Sequence, residues 1–313
     1  MAKSYHQDWK GRETNDDAES VGKALKDLGH TPKPYHLDLN IWEKLRKDKK
    51  EIDVAFNLCD DGFFSNPELE PHVLAMLEIL GIPYTGSGFL SLAMCLDKAR
   101  AKKMLSIHAI PTPQFQVFGN EAKLEKNLKF PLIVKPVHED ASIGIKDESI
   151  VKNADELMKR VKYVIKEYKQ QALAEEFIDG REFNVGFIGD EVLPVSEIIF
   201  NLPKSKPKIV SYAAKWEKES VEFRGTNRSC PATIDDELKK KLISLARKAS
   251  GCLLCTGYCR IDFRVDKQNN PFVLEVNPNP DISEDAGFAA MAKAAGMTYA
   301  DMIDRILKNA NTN

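Results

Sequence analysis

Two stretches, Tyr258–Val265 (YCRIDFRV) and Pro271–Asn277 (PFVLEVN), carry the residue types best placed to do chemistry. Strand alternation puts Ile261, Phe263 and Val265 on one face of the first, with Arg260, Asp262 and Arg264 on the other. In the second, Phe272, Leu274 and Val276 share a face, and Val273, Glu275 and Asn277 take the opposite one. A hairpin closed by Lys267–Asn270 would pair Asp262 with Glu275 and Arg260 with Asn277. Two carboxylates directly across a sheet repel each other, so a cation is expected between them. Two acids plus an amide oxygen are hard ligands suited to Mg²⁺, which keeps open positions for substrate phosphates. The spacing equally fits a solvated face on which Arg260, Arg264 or Lys267 neutralises the acids, and spacing alone leaves both readings open.

Two lysines could hold the phosphates. Lys135 ends the apolar run PLIVKP, where a buried ammonium needs an anion to offset its desolvation. Lys98 falls in a helical pattern, Ser91–Ile107, and taken alone reads as a solvated helix residue. The loop HEDASIG offers Ser142 and the backbone N–H groups near Gly144 as a phosphate cover.

The elements around these residues alternate in type. A helical pattern over Asp17–Leu28 stops at Gly29, a weak extended stretch follows at Lys33–Leu39, and Glu51–Leu58 reads as a buried strand. Pro71–Leu80 reads as a helix ending at Gly81, which with the preceding strand makes the βα alternation of a parallel sheet. No apolar strand precedes Asp17, so the first sheet is expected to be abbreviated. Extended segments are expected at Gln114–Phe118, Phe130–Pro136 and Leu173–Ile178, with a helix capped by Asn153 and running to Tyr168. EFNVGFIG and EVLPVSEIIF form a hairpin turned at Gly189-Asp190. Residues Asn201–Pro231 are polar, Lys-rich and long, and their Tyr212, Trp216 and Phe223 suit a lid better than a linker. Asp235 and Thr298 are read as caps of the last long helices.

Composition narrows the partners. The 313 residues, 43% hydrophobic and 29% charged, suffice for two or three domains and exclude a disordered or disulfide-dense chain. With 45 basic and 47 acidic residues the formal net charge is −2, without the basic footprint of a nucleic-acid binder. No apolar run approaches the roughly 20 residues that span a bilayer, and the polar first residues are unlike a signal peptide. A soluble, cytoplasmic protein is expected, acting on a small molecule, with no nucleic acid or membrane partner. Cys252, Cys255 and Cys259 crowd one stretch, but three sulfurs without a nearby His fall short of a closed zinc site, and core thiols are the simpler reading.

Taken in order, GIPYTGSG followed by Lys98, FPLIVKP with Lys135, EDASIG, AEEFIDGREF, RIDF and LEVNPNP resemble the ATP-grasp ligases, most closely the D-alanine–D-alanine ligase branch. The resemblance runs from about Ile52 to the C-terminal helix, and RID paired with LEVNPNP is its most specific part. It implies an α/β and α+β chain with an ATP-grasp fold: an N-terminal Rossmann-like domain in abbreviated form (1–90), a central subdomain (91–180) and a C-terminal subdomain with the metal and acceptor site (181–313). By matching motifs, Lys98, Lys135 and Ser142 would hold ATP phosphates, Glu175 the adenine amino group with Glu176 and Ile178 in the hinge strand, and Glu182 the ribose. Lys215 would close over the γ-phosphate from the mobile loop. Asp262, Glu275 and Asn277 would bind two Mg²⁺ ions, with Mn²⁺ as a substitute, and Arg260 would stabilise a tetrahedral intermediate. The implied reaction joins a carboxylate to an amine through an acylphosphate, releasing ADP. Amino acids or peptides would be the substrates, peptidoglycan synthesis the setting, and a homodimer is compatible with the family.

Two departures mark the substrate end. The family's N-terminal Gly-Gly turn is missing, and neither Glu13 nor Glu19 is assigned the role of its ammonium-binding glutamate. After LEVN the family continues with Ser-Pro-Gly and a later Ser-Leu pair. Here the run is PNPDISEDAGF, so Ala286 and Gly287 replace a hydroxyl donor and an apolar wall. Asp281 and Ser283 are the substrate-side candidates. Asp281, Glu284 and Asp285 make this end acidic, which suits an amine or cationic acceptor, although capping of a helix near Glu284 would explain them as well. Arg181, Arg224 and Arg228 are candidates for a substrate carboxylate, each with a surface role as the simpler alternative. Two further readings stay open, an ATP-grasp ligase for a different acid and amine, and an ATP-binding regulatory module without turnover.

Overall fold

The computed structural model describes residues 15–60, 62–119, 123–124 and 127–311; Glu13 lies outside them. The described residues begin with five α-helices: α1 (Asn15–Asp27), α2 (Ile41–Asp48), α3 (Glu70–Leu80), α4 (Phe89–Leu96) and α5 (Lys98–Ile107). Glycines in left-handed backbone follow two of them, Gly29 (φ 88) after α1 and Gly81 (φ 62) after α3, as expected of helix stops.

The extended stretches expected at Lys33–Leu39 and Glu51–Leu58 do not form strands. Ala55 makes a single parallel bridge to Tyr84, through Ala55 N–H to Pro83 O and Thr85 N–H to Ala55 O. The ladder ends there because the Thr85 hydroxyl, not a backbone carbonyl, accepts the next N–H, that of Asn57 (2.9 Å). Asn311 takes the other edge of Tyr84. The continuous helix expected over Ser91–Ile107 is likewise two helices. Asp97 is extended (φ −86, ψ 92) and its carboxylate accepts from Arg100 N–H, capping α5 anew, so that Lys98 stands at the first helical position.

Two antiparallel sheets follow. The first has the order β1-β4-β2-β3, from β1 (Phe115–Phe118), β2 (Leu132–Pro136), β3 (Ile150–Val151) and β4 (Ala172–Glu176), with α6 (Ala154–Tyr168) between β3 and β4. Leu132, Val134, Ala172 and Ala174 turn toward Leu157, Val161 and Val164 of α6, and strand alternation therefore sends Ile133, Lys135 and Glu175 to the opposite face. Asn153 caps α6 as expected (Glu156 N–H to Oδ1, 2.9 Å).

The second sheet runs β10-β9-β5-β7-β8, with the short β6 (Glu191–Val192) also on β5. Its members are β5 (Arg181–Ile188), β7 (Ser196–Phe200), β8 (Thr226–Ser229), β9 (Tyr258–Val265) and β10 (Pro271–Asn277). Phe183, Val185, Ile261, Phe263, Val273 and Val276 pack on Leu238, Leu242, Ala246 and Ala249 of α9 (Asp236–Cys252), which Asp235 caps. Cys259 is buried in the same core, and Cys252 and Cys255 pack against it. Glu182, Asn184, Arg260, Asp262 and Arg264 point the other way, toward the face that Lys135 and Glu175 present from the first sheet.

EVLPVSEIIF, expected as one strand, is divided into β6 and β7 around Pro194. Residues 201–231 are more ordered than a loop. They form α7 (Tyr212–Trp216), α8 (Val221–Gly225) and the edge strand β8. The chain finishes with α10 (Gly287–Ala294) and α11 (Tyr299–Lys308), the latter capped by Thr298 and Asp301 in reciprocal hydrogen bonds. Both pack with α1 on Tyr258, Ile188 and Leu193. Among the described residues no helix is long and apolar enough to cross a membrane.

Candidate functional site

The facing sheets enclose a cavity of about 840 Å³. Lys98, Lys135, Ser142, Glu175, Glu176, Ile178, Glu182, Lys215, Arg260, Asp262, Glu275, Asn277 and Asp281 all line it. Ser283 does not. Its hydroxyl and N–H both bond to the Asp281 carboxylate, shaping the turn beside the cavity.

The floor comes from the β9–β10 hairpin. Asp262 pairs with Glu275 and Arg260 with Asn277, as the sequence spacing predicts. Near the turn the register differs, because a bulge at Leu274 makes Val273 the partner of Phe263 and turns Val273 into the core. Val273, expected beside Glu275, therefore shares the buried face with Val276, while Leu274 lines the cavity. The extra residue re-aims the strand so that Glu275 still faces Asp262.

Charge on the floor is unevenly balanced. Arg260 grips Asp262 through both guanidinium arms (2.8 and 2.9 Å), and Asn184 adds a third hydrogen bond (2.7 Å). The Glu275 carboxylate has no hydrogen bond or ion pair with any described residue. Burial would raise its pKa, but Lys98, Lys135, Lys215 and Arg260 outweigh that and hold it below the usual carboxylate range. Glu275 is thus an ionised acceptor with its lone pairs uncommitted. Among the described residues no cluster of three or more His, Cys, Asp or Glu side chains is arranged for a metal. The donors at hand are two carboxylates and an amide, a set that fits a hard cation retaining other ligands.

Cations line the walls. Lys98 is buried and donates to Glu139 O (2.5 Å) and Asp140 (2.6 Å); burial opposes its charge, yet Asp140 and Glu275 raise its pKa. Glu175, 1% exposed, lies between Lys135 and Lys102, each 2.7 Å away. Burial favours its neutral form, but the two ammoniums prevail and keep its pKa below the ordinary value. Lys102, itself 1% exposed, also donates to Thr112 Oγ1 (2.7 Å), and burial brings its pKa down to about 8. Sequence reading missed Lys102. Its signal was the spacing Lys98-x-x-x-Lys102, which puts two lysines on one helix face.

Glu182 pairs with Arg264 (3.0 Å), its partner across β5 and β9. Burial raises the pKa of Glu182. At the end of β4, Glu176 accepts from Lys129 N–H (2.8 Å), while its own N–H bonds to Gln114 O and that of Phe177 to Pro131 O. Residues 139–145 form a tight loop in which Ala141, Ser142 and Gly144 have positive φ. Ser142 donates to Val210 O (2.8 Å) and Trp216 Nε1 to Ala141 O (3.0 Å), so the 201–216 segment is docked on this loop. Lys215 projects from α7 into the cavity without an ion-pair partner among the described residues; burial and Arg260 lower its pKa.

The acidic run is not a helix cap. Helix α10 starts at Gly287 with Ala286 as its N-cap and no side-chain cap bond. Asp281 and Asp285 line the cavity instead, and Glu284 does not. Among the arginine candidates, Arg181 is engaged by Glu197 (2.7 Å) and Arg224 by Glu219, whereas Arg228 lines the cavity.

The family model "D-ala D-ala ligase C-terminus" matches residues 107–308. A D-alanine–D-alanine ligase of Carboxydothermus hydrogenoformans is 33% identical over 302 residues, 92% of this chain and 90% of that protein. The chain belongs to the D-alanine–D-alanine ligase family. The ligase also superposes on the Bacillus anthracis D-alanine–D-alanine ligase crystallised with ATP, with a TM-score of 0.73, 26% identity, and coverage of 95% of this chain and 91% of that one. A VanG D-Ala:D-Ser ligase from Enterococcus faecalis gives a TM-score of 0.64 at 25% identity, covering 82% of this ligase and 72% of that chain. The fold is therefore ATP-grasp, and the facing sheets around the cavity are its two halves.

Proposed function

We propose that this ligase binds ATP between its two sheets and joins the carboxylate of one amino acid to the amine of another, with D-alanine as the donor to test first. The supporting observation is the partnerless Glu275 opposite Asp262, under Lys98, Lys135 and Lys215: an anionic floor beneath cationic walls, as a metal–triphosphate requires. Lys98 and Lys135 hold phosphates, the loop with Ser142 covers them, Glu175 and residues Glu176–Ile178 receive the adenine, and Glu182 the ribose. Asp262, Glu275 and Asn277 would hold Mg²⁺, which when bound supplies charge neutralisation to the phosphates. The units 1–90, 91–180 and 181–313 are the working divisions of this reading.

The donor carboxylate oxygen attacks the γ-phosphorus and the β–γ bridging bond breaks, giving an acylphosphate and ADP. The amine then attacks the acyl carbon, the C–O bond to phosphate breaks, and a proton leaves the nitrogen. For the first step the chain supplies positioning and the ammonium of Lys215 beside the transferred phosphoryl group. For the second, Arg260 is held rigid by Asp262, which fixes its remaining N–H groups and its charge where the oxyanion develops. Docking of the 201–216 segment on the 139–145 loop excludes the water that would hydrolyse the acylphosphate.

The test is ADP release with Mg·ATP over a panel of amino acids and dipeptides, with mass spectrometry of the product. ADP release coupled to a new amide supports the reading. ATP binding with no turnover on any member of the panel would assign the fold to a regulatory module instead.

A further inference from the structure

Lys102 has no part in the reaction as set out above, yet it is among the largest fully buried side chains of the protein. It stands one turn after Lys98 on α5, and whereas Lys98, Lys135 and Glu175 line the cavity, Lys102 does not. Its ammonium is fixed from two sides. It donates to Thr112 Oγ1 (2.7 Å), which in turn donates to Val273 O (2.8 Å) beside the bulge of β10, and it lies 2.7 Å from Glu175 Oε2. Lys135 takes the other oxygen, Oε1, at 2.7 Å. The two contacts differ in kind. Lys135 donates an aligned hydrogen bond, whereas Oε2 has an ion pair with Lys102 but no hydrogen-bond partner among the described residues. Two ammoniums and one carboxylate leave one positive charge over, where burial makes an unmatched charge costly. Of the two, only Lys135 is placed to carry that charge to a ligand.

We propose that Lys102 is the resident counter-ion of Glu175, a positioning residue that leaves Lys135 free to turn its charge to the phosphates of the nucleotide. The inference rests on the ATP reading of the cavity and adds a residue that acts on ATP without touching it. In the absence of Lys102 the buried Glu175 carboxylate would have Lys135 as its one ion-pair partner among the described residues, and Lys135 reaching for a phosphate would strand it. With Lys102 held by Thr112, Lys135 exchanges Glu175 for a phosphate oxygen and no charge is left bare. Glu175 Oε2 stays open to a donor, which the amino group of an adenine supplies. A second consequence concerns protons. Burial, aided by Lys135, brings the Lys102 pKa down to about 8 against the pull of Glu175 and Glu275. Those charges face it from β2, β4 and β10, and Thr112 and the Phe115 ring beside it are uncharged. Once a phosphate matches the charge of Lys135, the repulsion on Lys102 weakens and its proton is held more tightly, so ATP binding takes up protons near pH 8.

The test is calorimetric titration of Mg·ATP and of adenosine into wild type and Lys102→Met at pH 8, in two buffers of different ionisation enthalpy. Wild type should take up protons with ATP and none with adenosine. Lys102→Met should weaken ATP by roughly tenfold to a hundredfold, leave adenosine within about twofold, and lose most of the proton uptake, Lys215 being the other buried ammonium with a lowered pKa in the cavity. Lys102→Met/Glu175→Gln, which removes both charges of the pair, stands in where the single variant does not fold; it should bind ATP through the freed Lys135 and likewise lose the uptake. Equal weakening of ATP and adenosine in Lys102→Met marks a merely structural lysine and refutes the proposal, as does wild type without proton uptake or an uptake that survives removal of Lys102 in either variant. Failure of wild type to bind Mg·ATP refutes the reading beneath it, and the wild-type titration tells the two failures apart.

Discussion

Glu275 and Glu175 are both carboxylates surrounded by lysines, yet the structure treats them differently. Glu175 is ion-paired with both Lys102 and Lys135, and breaking such a buried set leaves a charge uncompensated, a loss of about 3–5 kcal/mol. Glu275 feels the same sign of field but touches none of its sources, so its oxygens are available to something else. Glu275→Gln should therefore fold with near-normal stability while losing turnover by a factor of 10² or more, roughly what mutation of a single electrostatic group in an active site costs. Thermal melting together with ADP release checks this. Unimpaired turnover by the variant would remove Glu275 from the metal site.

At the scale of elements, three segments distant in sequence meet at His138, just after β2. Its Nδ1 lies 2.8 Å from Glu68, in the turn before α3, and its Nε2 lies 3.6 Å from Asp97, the cap of α5. The Asp97 interaction, opposed by burial and aided by Glu68, raises the His138 pKa. A histidine with a raised folded pKa binds its proton more tightly when folded. Its contribution is complete below the unfolded value of about 6.5 and is lost as pH rises through the folded pKa. Glu68 is largely exposed, so the effect is on the order of 1 kcal/mol or less. The melting temperature of wild type should fall relative to His138→Gln as pH rises from about 6 to about 8, by a few degrees at most. Identical pH profiles for the two proteins would discount the clamp. This junction was invisible in sequence, since nothing in residues 68, 97 and 138 reports their adjacency. What could be read was local. The period-two faces of β5 and β9, the caps at Asn153, Asp235 and Thr298, and the pairing of Asp262 with Glu275 follow from patterns within one or two strands. Sequence reading failed where a side chain replaced a backbone partner. Asp97 recapped a helix that periodicity runs through, and Thr85 stopped a ladder that the apolar run Glu51–Leu58 suggested. The bulge at Leu274 shows the limit from the other side, because the functional pairing was right although the strand turned one residue differently toward the hairpin end. Arg228 was legible only as one arginine among three, until the fold turned it into the cavity lining.

Across the whole molecule, a formal net charge of −2 conceals a separation of charge across one cavity. Each sheet spends one face on a helix, α6 or α9, and gives the other to the site. The polar residues of β2, β4, β5, β9 and β10 are there because alternation places them opposite a packed core. In the proposed reaction this cavity couples ATP cleavage to amide formation through an acylphosphate. That coupling is tested most directly with a donor amino acid labelled with ¹⁸O in its carboxylate, following the label into the phosphate released in turnover. One labelled oxygen is expected in each phosphate, with ADP as the nucleotide product. Amide formation with unlabelled phosphate, or with AMP in place of ADP, would contradict it.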